Sequence, residues 1–155
     1  MFIRPATSAD IAEIIFIERE STFAAHWSES QYQQAFSKSA PRRLILVASE
    51  KVPNEEQTNA IAGFIVARVV DSEWEIENIV VNPNSRRQGI AMQLLKEIRG
   101  LAESENAAKI FLEVRQSNTA ARALYQKCGF KNCGYRGQYY SDPSEDAALY
   151  LLIFQ

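Results

Sequence analysis

At 155 residues the chain is of single-domain size and long enough to bury a substantial core. Its 46% hydrophobic and 23% charged content excludes a disordered chain. A net charge of −2 carries no basic excess that would point to nucleic acid. No window reaches the ~18 apolar residues of a membrane span, and MFIRPATSAD holds no apolar leader core, so one cytoplasmic domain over 1–155 is expected.

In chain order, Phe2–Arg4 reads as a short strand ended by Pro5. Thr7-Ser8-Ala9-Asp10 has capping-box spacing, and Ile11, Ile14, Ile15 and Glu18 continue at helical spacing toward Glu20. His26-Trp27 follows as a loop. Ser28 with Gln31 forms a second capping box and opens a helix through Lys38, with Tyr32, Ala35 and Phe36 on its apolar face. Pro41 breaks it. Leu44–Ser49 reads as a strand, Glu50–Asn59 as a polar connection and Ile61–Val70 as the next strand. The turn Asp71-Ser72-Glu73 then makes an antiparallel hairpin with Trp74–Val81, stopped at Asn82-Pro83-Asn84.

A helix is expected from Gln88, with Ala91, Leu94, Leu95, Ile98, Leu101 and Ala102 on one face. Lys109–Val114 is a buried-type strand. Asn118 caps a helix from Thr119 to Cys128, and Gly129 is its left-handed stop. Phe130–Gly137 and Ala147–Phe154 read as two strands joined by the connection Gln138–Asp146. The order is β-α-α-β-β-β-α-β-α-β-β, of α/β or α+β class. The crossover from Trp74 to Val114 should be right-handed and join parallel strands. The rest should be a mixed, mostly antiparallel sheet with helices on both faces. Cys128 and Cys133, with the lone His26 far away in sequence, form neither a zinc pattern nor a disulfide framework, and no metal is expected.

The stretch Trp74–Leu101 carries the chemistry. Its strand, turn and helix bracket Arg86-Arg87-Gln88-Gly89-Ile90-Ala91. Gly89 lacks a Cβ, so a ligand can approach the backbone there. The first N–H groups of the helix have no internal partner, and the helix dipole adds positive charge. That combination suits a pyrophosphate. A P-loop would need Gly-Lys-Ser/Thr, and a dinucleotide fingerprint three spaced glycines; both are absent.

Arg86, Gly89 and Ala91 resemble the Gln/Arg-x-x-Gly-x-Gly/Ala signature of the GNAT superfamily of N-acetyltransferases, and the order of elements is the one expected of that fold. Further segments resemble the bacterial RimI group within it: His26-Trp27-Ser28-Glu29, Asn78-Ile79-Val80-Val81, Leu112-Glu113-Val114-Arg115, Ser117-Asn118, Ala123-Leu124-Tyr125, Gly129-Phe130, Tyr139-Tyr140 and Glu145-Asp146-Ala147. Ala91 stands where many members have a second glycine. Gly137-Gln138 precedes the tyrosine pair where a basic or polar residue is frequent.

The resemblance implies acetyl transfer from acetyl-CoA to the N-terminal alanine of a small-subunit ribosomal protein. It implies that backbone groups of Ile79, Val80 and Val81 hold the pantetheine arm. Amides of Arg87, Gln88, Gly89, Ile90 and Ala91 would hold the pyrophosphate, and Asn118 would contact CoA. Glu113 is the candidate general base, because a carboxylate is out of place in an apolar strand. It also reads as a structural glutamate paired with Arg115. Glu77, two residues before Ile79 and on the same strand face, is the rival base, an ammonium anchor or a solvated edge residue. Tyr125 is the candidate acid, although it also fits its helix's apolar face. Trp27, Glu77, Tyr139 and Tyr140 would wall the acceptor groove, roofed by the Tyr139–Asp146 connection, with Glu145 and Asp146 adding negative charge for a basic peptide. A small-molecule amine as acceptor, and a non-catalytic acyl-CoA-binding subunit, stay open as alternatives.

Overall fold

The computed structural model describes residues 1–38, 41–49, 60–141 and 143–155. The expected connection Glu50–Asn59 lies outside the described residues. Eleven main elements follow the expected order. These are β1 (Phe2–Pro5), α1 (Ile11–Arg19), α2 (Glu29–Phe36), β2 (Arg42–Ser49), β3 (Ile61–Val70), β4 (Glu73–Val81), α3 (Ile90–Ser104), β5 (Lys109–Arg115), α4 (Thr119–Lys127), β6 (Lys131–Tyr140) and β7 (Glu145–Ile153). Short 3-10 turns occupy Ser8–Asp10 and Pro83–Ser85. One seven-stranded sheet runs β1-β2-β3-β4-β5-β7-β6. Among the described residues only β4 and β5, the pair joined through α3, are parallel.

Helix starts follow their caps. Ser28 and Gln31 exchange the expected bonds, with Ser28 N donating to Gln31 Oε1 at 2.7 Å and Gln31 N donating to Ser28 Oγ at 3.2 Å. At the first helix, Thr7 N donates to Asp10 Oδ2 at 2.8 Å, but the box closes a 3-10 turn and α1 begins only at Ile11. α3 begins at Ile90 rather than Gln88, because Gly89 takes a left-handed backbone (φ 74) and caps it.

Each face of the sheet has its own core. On one, Ile90, Leu94, Leu95, Ile98 and Ala102 of α3 and Tyr125 of α4 pack on Trp74, Ile76, Ile110, Leu112 and Val114. On the other, Ile11, Ile14 and Ile17 of α1 and Tyr32 and Ala35 of α2 pack on Phe64, Val66 and Val80. The strand β4 changes face along its length. Ala67 pairs with Ile76 and Val66 with Asn78, so Glu77 is an extra residue in a bulge. Before it, Trp74 and Ile76 face α3; after it, Val80 faces α1, while Ile79 and Val81 pack toward α3. One inserted residue reverses the alternation of everything beyond it. Glu77 and Ile79 therefore do not continue one uninterrupted strand face, contrary to the reading from simple alternation.

The bulge also marks where β4 leaves β5. Their pairing runs from Glu73–Lys109 to Ile76–Leu112 and stops. Glu77–Val81 and Glu113–Arg115 diverge, and the gap between them opens into a cleft.

The end of α4 is set by Gly129 (φ 93), as expected. Phe130 N donates to Tyr125 O at 3.0 Å and Gly129 N to Gln126 O at 3.1 Å, the two bonds of a Schellman motif. The accompanying apolar contact is Tyr125 against Phe130, ring centroids 6.0 Å apart. The last hairpin differs from expectation. β6 continues to Tyr140 and β7 begins at Glu145, so the expected nine-residue connection shrinks to a short turn. Gln138 (φ 51) sits in a register shift between Arg136 and Tyr140, and its N–H donates to Asp146 Oδ1 at 2.8 Å.

Candidate active site

The cleft where β4 and β5 part has a volume of about 1170 Å³. Ile79, Val80, Val81, Arg86, Arg87, Gly89, Ile90, Ala91 and Asn118 line one side of it; Glu113, Tyr125, Trp27, Glu77, Tyr139 and Tyr140 also line it. Gln88 is exposed and does not.

At the α3 end the cleft is walled mostly by backbone. Val80 and Ile90 bury their side chains in the two cores, at 3% and 2% exposure, and so offer main-chain groups. No acceptor among the described residues takes the N–H groups of Ile90, Ala91 and Met92. A Cβ at Gly89 would meet nothing within 4 Å, so the space before these donors is open. Arg87 holds a left-handed backbone (φ 64) without being glycine, a strain of order 1 kcal/mol. The donors, the open approach and the two exposed arginines fit a bound pyrophosphate. Gly63, which sequence reasoning passed over, lets this turn sit on the sheet: a Cβ there would lie 2.8 Å from Val80 O and 3.1 Å from Ile90 Cγ2. Asn118 caps α4, its side chain accepting from Ala121 N at 3.2 Å, and still faces the cleft.

Glu113 lies on the strand face opposite Leu112 and Val114 and is 21% exposed in its side chain. Its partner is Arg136 on β6, Nε to Oε1 at 3.2 Å, rather than the nearby Arg115. Arg115 is occupied elsewhere. It donates to Pro143 O and Ser141 O at 3.0 and 3.2 Å, pairs with Glu145 at 3.4 Å and lies 4.5 Å over the Tyr140 ring. Glu145 also accepts from Ser117 N, and hydrogen bonding from the Ser117 hydroxyl and then from this N–H holds its carboxyl below the usual carboxylate range. Glu145 and Asp146 therefore brace the last hairpin instead of standing as free charges at an entrance, and the expected roof is the braced hairpin end.

That hairpin brings Tyr139 and Tyr140 to Glu113. A hydrogen bond to Glu113, followed by burial, pushes the Tyr139 phenol up. Burial, reinforced by the Glu113 charge, pushes Tyr140 up to about 12. Tyr125 is 4% exposed, between the rings of Phe130 and Tyr150. Its hydroxyl makes no hydrogen bond among the described residues, and burial pushes it well above an ordinary phenol.

Glu77 is committed to Arg43, whose Nε and Nη2 lie 2.7 and 3.4 Å from its two oxygens. Arg43 in turn lies 5.6 Å over the Trp27 ring. The Glu77 pair is the more enclosed of the two, with Arg43 21% exposed against 58% for Arg136. Glu75, a third carboxylate lining the cleft, was not anticipated. Desolvation raises its pKa first, Arg68 opposes this, and Glu77 and Glu113 raise it further. The sequence signal was the alternation Glu73, Glu75, Glu77 in a strand. His26 (φ 56) is exposed at the cleft edge.

Residues 9–130 match the Acetyltransferase (GNAT) family. Over 98 residues the chain is 39% identical to the [ribosomal protein bS18]-alanine N-acetyltransferase of Escherichia coli strain K12, covering 62% of this chain and 66% of that protein. It is 27% identical over 147 residues to the putative [ribosomal protein bS18]-alanine N-acetyltransferase of Bacillus subtilis strain 168, covering 95% of this chain and 91% of that one. The crystal structure of the ribosomal-protein-S18-alanine N-acetyltransferase from Escherichia coli superimposes with a TM-score of 0.82 at 31% identity, over 98% of this chain and 92% of that one. Arabidopsis thaliana NAA60 in complex with acetyl-CoA shares the fold, with a TM-score of 0.86 at 17% identity over 99% and 98% of the two chains.

Proposed function

The chain belongs to the GNAT acetyltransferase family, and from that premise we propose that it transfers an acetyl group from acetyl-CoA to the N-terminal α-amine of a protein, the N-terminal alanine of a small-subunit ribosomal protein in particular. One observation carries the reading. A single cleft holds a helix start with open N–H groups, the Glu113 carboxylate and the buried Tyr125 hydroxyl, beside a wall of Trp27, Glu77, Tyr139 and Tyr140. The similarity to the Escherichia coli enzyme supports the choice of acceptor.

Acetyl-CoA, when bound, supplies an activated thioester. The N–H groups around Gly89–Met92 hold its pyrophosphate, with Arg86 and Arg87 adding charge, and the free edge of Ile79–Val81 holds its extended arm in the manner of an added strand. Glu113 accepts the acceptor nitrogen's proton at a carboxylate oxygen, directly or through one water. At pH 7 about a tenth of α-amines are already neutral against under ~0.1% of lysine side chains, so an α-amine asks less of this base than a lysine does. Arg136, 58% exposed, pairs with the same carboxylate at 3.2 Å.

Tyr125 keeps its proton through the neutral range and gives it at Oη to the departing sulfur. Burial makes the phenol a weaker acid, but the same desolvation raises the sulfur's affinity for a proton.

The test is mass spectrometry on a peptide that begins with alanine and carries internal lysines. Acetylation at the α-amine is expected. Acetylation chiefly on the lysines, or on polyamines and no peptide, would overturn the acceptor and leave the family standing.

A further inference from the structure

We propose that Glu18 and Asn78 are positioning residues that hold the acceptor wall in register with the cofactor strand. The proposal rests on the acceptor reading above. Asn78 is 6% exposed and follows the β4 bulge, so its side chain points toward α1 and α2. Its Nδ2 donates to Glu18 Oε1 at 2.8 Å and to Tyr32 Oη at 3.1 Å, and its Oδ1 accepts from Ala25 N at 3.3 Å. Glu18 Oε1 also accepts from Trp27 N at 3.1 Å. Glu18 is 1% exposed, and no cation pairs with it among the described residues.

A buried carboxylate without a cation is unfavourable unless hydrogen bonds satisfy it. Core packing therefore does not call for a glutamate at this place on α1. What the carboxylate does is hold a segment that has no sheet or helix to hold it. Between α1 and α2 the N–H groups of Ala25 and Trp27 end on side chains from β4 and α1. His26 between them is turned left-handed, at the cleft edge. Trp27 is thereby laid against Tyr32, 5.3 Å between ring centroids, and under Arg43, which Glu77 holds. Asn78 lies on the strand whose next three residues border the cofactor. One side chain thus joins the acceptor wall to the strand that sets the thioester's place.

The test compares the full-length wild type with Glu18→Leu, which fills the space without a polar atom, and Glu18→Gln, which keeps an acceptor oxygen. In Glu18→Leu, amide exchange at Ala25 and Trp27 is expected to rise by roughly tenfold or more while exchange at the start of α3 is unchanged. The acceptor KM rises by roughly tenfold, the acetyl-CoA KM stays within about twofold, and the melting temperature falls by a few degrees because Asn78 Nδ2 and Trp27 N lose their acceptor. Glu18→Gln stays near the wild type in all of these. Slow exchange at Ala25 and Trp27 in Glu18→Leu overturns the proposal. So does an acetyl-CoA KM that moves with the acceptor KM, or a Glu18→Gln variant as impaired as Glu18→Leu. A wild type that acetylates another amine overturns only the acceptor reading, because the exchange measurement needs no acceptor and the KM split can be read with that amine.

Discussion

The α3 end of the cleft comes from one stretch, residues 79–91, and presents main-chain groups. The opposite side comes from the loop after α1, the bulge of β4, β5, α4 and the last hairpin, and presents side chains. The first needs only a strand, a left-handed glycine and a helix start. The second needs three carboxylates placed so that each has a different fate. Glu77 is locked to Arg43, Glu113 shares an exposed arginine and a tyrosine, and Glu75 is left partly desolvated beside both. A local site tolerates side-chain change and fails on backbone change; an assembled site does the reverse.

The sharpest way to break this comparison is at the assembled side. Glu113→Gln should lower kcat by roughly 10²–10⁴-fold, as for a lost general base, with acetyl-CoA affinity nearly intact. Tyr125→Phe should lower kcat in the same way, since it removes one hydroxyl and keeps the ring contacts with Phe130 and Tyr150. Steady-state kinetics with calorimetry of acetyl-CoA binding reads both effects. If Glu113→Gln keeps full activity while Glu77→Gln loses it, Glu77 is the base despite its pairing with Arg43.

A smaller loss, confined to the cofactor, is expected from Gly89→Asp. A side chain would be forced onto a φ of +74 and a negative charge placed before the helix start. Acetyl-CoA affinity should fall by roughly tenfold or more, with far-UV circular dichroism unchanged. Affinity equal to the wild type in calorimetry would remove this turn from the site.

The smallest effect concerns Glu75 and sharpens the contrast in electrostatics. Its pKa is raised by desolvation and by its acidic neighbours, so the folded state binds its proton more readily than the unfolded chain does. Its ionisation therefore costs no stability below the unfolded value near 4.5, and costs progressively more as pH rises through the higher folded value. Glu75→Gln should raise the melting temperature by about 1–2 °C at pH 7, a small gain because the carboxylate is partly screened by solvent. The gain should vanish below pH 4.5. A gain that persists in acid would point to packing instead of charge.

The order of elements, the capping box at Ser28, the left-handed stop at Gly129 and the turn before α3 were legible in the sequence. Each is set by residues a few positions apart, through propensity, caps and backbone freedom. That Glu113 and Tyr125 share one cleft accords with their reading from the sequence, one as a carboxylate in an apolar strand and the other by its place in a recognisable segment. The partners of these residues were not legible. Glu113 meets Arg136 instead of Arg115 because Arg115, although on the same strand face, is held by Glu145 and by the carbonyls of Ser141 and Pro143, while β6 brings Arg136 to Glu113 from across β7. The bulge at Glu77 reverses the alternation that placed Glu77 beside Ile79, and no local pattern announces one extra residue. Glu18 reads in the sequence as a polar position in an apolar helical stripe. Only burial against Asn78 and Trp27, 60 and nine residues away, turns it into a brace. Contacts of that kind depend on register and packing between distant elements, and those are settled when the sheet closes its two cores.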